Sequence, residues 1–232
     1  VAKKPRITVL QPDPEVPLDR FDEWLRAGVR ITLVTLWDKD VPNLETIGDG
    51  LVVLGGRMDV NSDARWVAQT KDLIADAADI DIPVLGICLG HQLLAEALGG
   101  EVVVAHEAGP EDGPVVLEWA PEAAEDPVLG ACAASGAPVP MSHNDVVTRL
   151  PEGAVELAWS PTYRNAAFRL GSAVGVQFHP EASPELIQHW WAGKHGGKST
   201  AVLDRMREAD PALAPAMQSI AEGFSTVVIE NA

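Results

Sequence analysis

The chain has 232 residues and a net charge of −17, with 47% apolar and 22% charged residues. That composition belongs to a globular protein with one substantial core, and its acidity argues against a nucleic-acid or anionic-membrane surface. Two cysteines make no disulfide framework, no run of ~18 apolar residues reads as a membrane span, and Ile7–Leu10 is too short for a signal-peptide core, so a reduced cytoplasm is the expected compartment.

In chain order, Arg6–Leu10 reads as a strand, Leu18–Ala27 as a helix ended by Gly28, and Val29–Leu36 as a second strand. Leu51–Leu54 is a third strand, apolar throughout and so expected to be buried on both faces. Asp63–Ala78 carries helical periodicity with Ser62 as N-cap. Pro83–Ile87 is a short buried strand, and His91–Leu98 a helix stopped by Gly99-Gly100. Apolar strands alternating with helices imply a parallel sheet covered on both faces. From Glu101 the texture changes to short strands at Glu101–Val104, Val115–Trp119, Val146–Arg149, Val155–Ser160, Ala166–Leu170 and Ala173–Phe178, which read as antiparallel additions. Helical pattern returns at Pro184–Ala192, Thr200–Ala209 and Pro211–Val228, with Gly193–Lys198 as a connector. The expected fold is one α/β domain over 1–232, an open and mostly parallel sheet with helices on both faces, its core at about 6–182 and a helical extension at 183–232.

Gly86-Ile87-Cys88-Leu89-Gly90-His91-Gln92 puts a cysteine on the strand-to-helix turn with glycine two residues away on each side. This is the pattern of a nucleophile elbow, where the helix N-terminus favours anionic sulfur and an oxyanion. A buried structural thiol is the competing reading for Cys88, and it is the preferred one for Cys132. The second chemical segment is Val176-Gln177-Phe178-His179-Pro180-Glu181. It ends a strand with a histidine, a proline that rigidifies the turn, and a carboxylate able to orient the imidazole. At the carboxyl edge of a parallel sheet, Cys88, His179 and Glu181 would converge as a catalytic triad.

GICLGHQ at Gly86–Gln92 followed by VQFHPE at Val176–Glu181 resembles the signature pair of class I glutamine amidotransferase domains, most closely free-standing members similar to the amidotransferase domain of GMP synthetase. Leu54-Gly55-Gly56 resembles the family's oxyanion loop, and Met141-Ser142-His143-Asn144-Asp145 its substrate loop. The resemblance implies glutamine hydrolysis through a Cys88 thioester, with the oxyanion held by the backbone N–H groups of Gly56 and Leu89. It also implies a substrate pocket formed by Gly55, Gln92, Ser142, Asn144 and Asp145, and no cofactor. Two residues depart from the family pattern: Arg57 stands where proline is common, and Asn144 where glycine is usual.

Ammonia would pass to a synthase on another chain, since no acceptor domain is recognisable. The alternative is a γ-glutamyl hydrolase or peptidase, because thioester chemistry is blind to the leaving amine. A non-catalytic regulatory module is the third reading, opposed by the intact triad residues. Gly196–Thr200 mimics a phosphate loop, but Ala192 stands where that motif needs its first glycine. His189 and His195 lack metal-ligand spacing, so no metal is expected. Trp190-Trp191 reads as core plus a partly exposed neighbour, and His91 and His143 as structural.

Overall fold

The computed structural model describes residues 4–191 and 198–232. Residues 193–197 of the connector, the two glycines that open the phosphate-loop look-alike, and His195 lie outside them.

Strand β1 (Arg6–Gln11), helix α1 (Arg20–Gly28), strands β2 (Arg30–Thr35) and β3 (Gly50–Val53), helix α2 (Arg65–Asp79), strand β4 (Val84–Ile87) and helix α3 (Leu89–Ala97) build the alternating first half. Strands β5 (Glu101–Val103), β6 (Glu111–Val115) and β7 (Glu118–Trp119) come next, followed by helix α4 (Gly130–Ser135). Strands β8 (Val139–His143), β9 (Val146–Arg149), β10 (Val155–Trp159), β11 (Ala167–Leu170) and β12 (Ala173–Val176) then lead to helices α5 (Pro184–Trp191) and α6 (Lys198–Asn231).

Eight strands form one sheet in the order β2-β1-β3-β4-β12-β11-β10-β7. The first five are mutually parallel and the last three antiparallel. β3, β4 and β12 are buried on both faces, as their unbroken apolar runs require. Alternate side chains sort to opposite sides of the sheet. Val9, Val52, Leu85 and Val174 pack with Phe21 and Leu25 of α1 and with Met217, Phe224 and Val228 of α6. Leu10, Leu51, Val53 and Val84 pack with Leu73 and Ile74 of α2 and Leu93 and Leu94 of α3. Two hairpin-like pairs, β5 with β9 and β6 with β8, stand apart from this sheet.

Several local expectations change. α2 begins at Arg65 with Ala64 at its N-cap position; Ser62 instead accepts a long 3.4 Å bond from the Ala64 N–H, one residue pair too early to cap the helix. Val115–Trp119 is two strands, with Val115 pairing to Val139 and Trp119 to Ala158. Met141–Asp145 is strand through His143. The two C-terminal helices are one, running through Pro211 and Pro215. Met206, Leu213, Met217 and Ile220 are all 0–1% exposed, so burial on both sides of the prolines outweighs the backbone bonds they remove. The segment Thr200–Asn231 is also long and apolar enough to cross a membrane by length and composition, which a search for uninterrupted apolar runs passes over. Here its apolar side packs on α1, α4 and α5.

Candidate active site

The sheet delivers the sequence-predicted residues to one edge. Loops leaving the carboxyl ends of β1, β3, β4 and β12 carry Asp13 and Glu15, Gly55-Gly56-Arg57, Cys88, and His179 with Glu181. They surround a cavity of about 950 Å³. This is where open parallel sheets bind ligands.

Cys88 occupies the turn between β4 and α3 with φ 51° and ψ −104°. A non-glycine residue there is strained by about 1–3 kcal/mol. The strain is held from three directions. The Cys88 N–H donates to Val176 O of β12 at 2.9 Å, and its carbonyl accepts the first bond of α3, from the Gln92 N–H at 3.1 Å. The flanking glycines let backbones meet: a Cβ on Gly86 would lie 2.5 Å from Gly90 O, and one on Gly90 only 2.0 Å from Val53 O. The elbow pattern is therefore a packing requirement as much as a catalytic one. Cys132, by contrast, is core: burial pushes its thiol up to about 12.

His179 is 4% exposed and Glu181 fully buried. The His179 Nδ1–H donates to Glu181 Oε1 at 2.8 Å, which directs the other ring nitrogen elsewhere. Burial works against a charged ring, but the Glu181 carboxylate and the neighbouring Cys88 together hold His179 well above its ordinary range. The turn is pinned by α1: the Arg20 N–H donates to Glu181 O and the Ser183 N–H to Asp19 Oδ2.

Gly55 and Gly56 lie against this pair. A Cβ on Gly55 would come 2.8 Å from His179 Cε1 and 3.4 Å from Cys88 Cβ, and one on Gly56 3.1 Å from Leu89 Cδ2. Leu89 opens α3, where backbone N–H groups lack helical acceptors. The departure at Arg57 has a partner that sequence reasoning missed. Asp13, its side chain 1% exposed, accepts Arg57 Nε at 2.7 Å, Nη2 at 2.8 Å and the Arg57 backbone N–H at 3.0 Å. Burial opposes the Asp13 charge, yet these bonds and the Glu15 N–H hold its carboxyl below the usual range. The only sequence signal was position, an aspartate just past the carboxyl end of a buried strand.

Gln92, Ser142, Asn144 and Asp145 also line the cavity. Gln92 Nε2 donates to Asp145 O at 3.0 Å, and Asp145 Oδ1 accepts the Ala105 N–H at 2.8 Å. The Ser142 hydroxyl donates to Asp112 at 3.0 Å and accepts the Trp191 indole N–H at 3.2 Å. Asn144 is exposed at the rim, and its carbonyl accepts the His106 N–H. His143 is tied to Glu111 and to Asp145 O, away from the thiol. Another wall is α5: Trp191 is core and Trp190 its partly buried neighbour, as expected, and with His189 both also line the cavity. No group of three or more histidine, cysteine or carboxylate side chains suited to a metal occurs among the described residues.

Comparison with known proteins bears on this constellation. The sequence profile described as glutamine amidotransferase class-I matches residues 21–191. A Helicobacter pylori protein named GMP synthase [glutamine-hydrolyzing] is 36% identical over 145 residues, covering 62% of this chain and 26% of that protein. Gamma-glutamyl peptidase 4 of Arabidopsis thaliana is 32% identical over 152 residues, covering 65% of this chain and 59% of that protein. The chain thus spans about a quarter of the length of the GMP synthase it matches. A crystal structure of a glutamine amido transferase from Methylobacillus flagellatus superposes with a TM-score of 0.80 at 25% identity, covering 99% of this chain and 96% of that one.

Proposed function

The chain belongs to the glutamine amidotransferase class-I family, and on that premise we infer that it hydrolyses the side-chain amide of glutamine through a thioester on Cys88. The observation that carries this reading is the Cys88 turn, held at φ 51° beside a buried histidine whose Nδ1 is bonded to Glu181 at 2.8 Å. The Cys88 sulfur attacks the amide carbon, and its proton resides on His179. The tetrahedral oxyanion is met by the N–H groups of Gly56 and Leu89, worth about 3 kcal/mol each when well aligned. His179, oriented by Glu181, protonates the departing ammonia, then takes a proton from the water that cleaves the thioester to glutamate. Gln92, Ser142, Asn144 and Asp145 line the pocket for the amino-acid end, while Gly55, expected there too, sits behind the wall against His179 and Cys88. Ammonia passes to an acceptor enzyme outside these residues. The chemistry needs a free thiol, so a reducing, cytoplasmic setting suits it.

A second reading, hydrolysis of a larger γ-glutamyl amide or peptide, is favoured by the match to a γ-glutamyl peptidase and by a cavity of about 950 Å³, at the upper end of small-molecule sites.

The purified protein is expected to release ammonia from glutamine and to form a covalent adduct with a glutamine-analogue electrophile. Cys88→Ala should abolish both without changing thermal unfolding. A wild type that forms no adduct, or a Cys88→Ala variant that keeps the rate, overturns the thioester reading. Relative kcat/KM on glutamine and on γ-glutamyl amides and dipeptides separates the two substrate classes.

A further inference from the structure

The catalytic histidine has a neighbour that the chemistry above does not use. The Trp190 ring lies 4.7 Å from the His179 ring, centroid to centroid, at an interplanar angle of 58°. Gly55 closes on the same imidazole at Cε1, leaving no room for a methyl group. Trp190 is itself fixed, since its Nε1–H donates to Glu15 O at 2.6 Å and the adjacent His189 bonds the Glu15 carboxylate. The next residue extends the arrangement across the cavity, because the Trp191 indole N–H reaches Ser142 Oγ. α5 therefore spans from the imidazole to the substrate loop, locked by bonds from three consecutive side chains.

We propose that Trp190 is a positioning residue for His179, its indole holding the imidazole in place and favouring the protonated ring beside the Cys88 sulfur. The proposal rests on the Cys88–His179 chemistry inferred above. An aromatic face within about 6 Å of a cation stabilises it, most strongly where water is excluded. Other groups near the ring set the background: Glu181 on Nδ1, Cys88 on the elbow, Glu15 and His189 behind the indole, and the Asp13–Arg57 pair across the cavity. None of these is removed by changing Trp190, so a change in His179 behaviour reports the indole itself.

Three variants separate its properties. Trp190→Phe keeps an aromatic face and loses the N–H to Glu15. Trp190→Leu keeps apolar bulk without a face, and Trp190→Ala removes both. The readout is the pH dependence of Cys88 alkylation by iodoacetamide, with kcat and KM for glutamine in parallel. Cys132 is buried and stays silent in this assay. Losing the stabilised imidazolium should move the alkylation midpoint to higher pH by about 0.5–1 unit in the Leu and Ala variants. Their kcat should fall about tenfold with KM changed less than about threefold, the split expected of a misplaced catalytic group. Trp190→Phe should return both quantities most of the way. If Trp190→Leu retains the wild-type midpoint and kcat, the indole is only wall and the proposal is overturned. The Leu variant carries this test should the Ala variant fail to fold. Iodoacetamide reads the Cys88–His179 pair whatever the substrate, so a protein inert towards glutamine overturns the proposed function and leaves the positioning role measurable.

Discussion

His91 and His179 are both buried, one in the helix that follows the elbow and the other in the turn after β12, yet their surroundings differ in kind. His91 packs its ring 5.1 Å from Phe168 and against Gly175, where an added Cβ would meet Nδ1 at 2.5 Å. Neither of its ring nitrogens has a well-formed hydrogen bond, and burial pushes it down to about 3. His179 is as deeply buried but faces Glu181 and Cys88, and these hold it well above its ordinary range. Burial alone thus leaves a neutral, inert ring; burial with a fixed carboxylate leaves one ready to carry a proton. The difference between the two rings lies in Glu181, two residues along the chain from His179, and in Cys88 beside it.

That contrast can be broken most forcefully at Glu181 itself. Glu181→Gln should leave His179 with only the Cys88 sulfur to favour its charge and lower kcat/KM for glutamine by up to about 10⁴-fold, the loss typical when a triad carboxylate becomes an amide. Retention of activity within tenfold would remove Glu181 from the orienting role.

Next in size is the pH dependence of stability, where the two histidines have opposite signs. Below its ordinary value of 6.5, His91 binds a proton in the unfolded chain but not in the folded one until about pH 3. Stability is therefore lost as pH falls from 6.5, by at most about 1.4 kcal/mol per unit. His179 contributes stability fully below 6.5 and loses it as pH rises through its higher folded value. The depressed carboxyls Asp13, Glu111 and Asp126 act only below their ordinary values of 3.8 to 4.5. Denaturant unfolding between pH 6.5 and 5 thus isolates His91, and His91→Leu should flatten the slope there. An unchanged slope in that variant would show that another group carries the acid sensitivity.

The smallest effect concerns a charge pair at the rim. Arg57 is 58% exposed while its partner Asp13 keeps backbone donors from Glu15 and Arg57. Arg57→Ala should cost less than about 1 kcal/mol in unfolding free energy. Asp13→Ala should cost more, since it strips the Gly55-Gly56-Arg57 loop of its anchor. Equal losses in the two variants would show that the guanidinium, rather than the loop backbone, is what Asp13 holds.

Much of this was legible before any coordinates. β3, β4 and β12 announce themselves as apolar runs, and Gly86–Gln92 and Val176–Glu181 carry the site residues within short, ordered motifs. What stayed hidden depends on distance in the chain. β6 and β8 pair through Pro114 opposite Pro140, residues whose local preference argues against strands, and their mutual register and the burial of Val139 and Met141 hold them. α6 continues through two prolines because its buried face spans them. Trp190 looked like surface or core because nothing in α5 says that its end meets the carboxyl edge of the sheet. Asp13 lies between Pro12 and Pro14, in a stretch with no motif of its own to mark it.

The bond from the Cys88 N–H to Val176 O has a consequence in time. β12 is the last strand of the parallel set to leave the ribosome, well after the elbow has been synthesised, and closing so long a loop is slow and entropically opposed. A nascent chain therefore carries its thiol without His179, Glu181 or Trp190 beside it, and the strained turn lacks one of the three contacts that hold φ at 51°. Insertion of β12 supplies the backbone acceptor, the imidazole and the carboxylate in one step. The Cys88–His179–Glu181 cluster thus comes together only when the sheet closes.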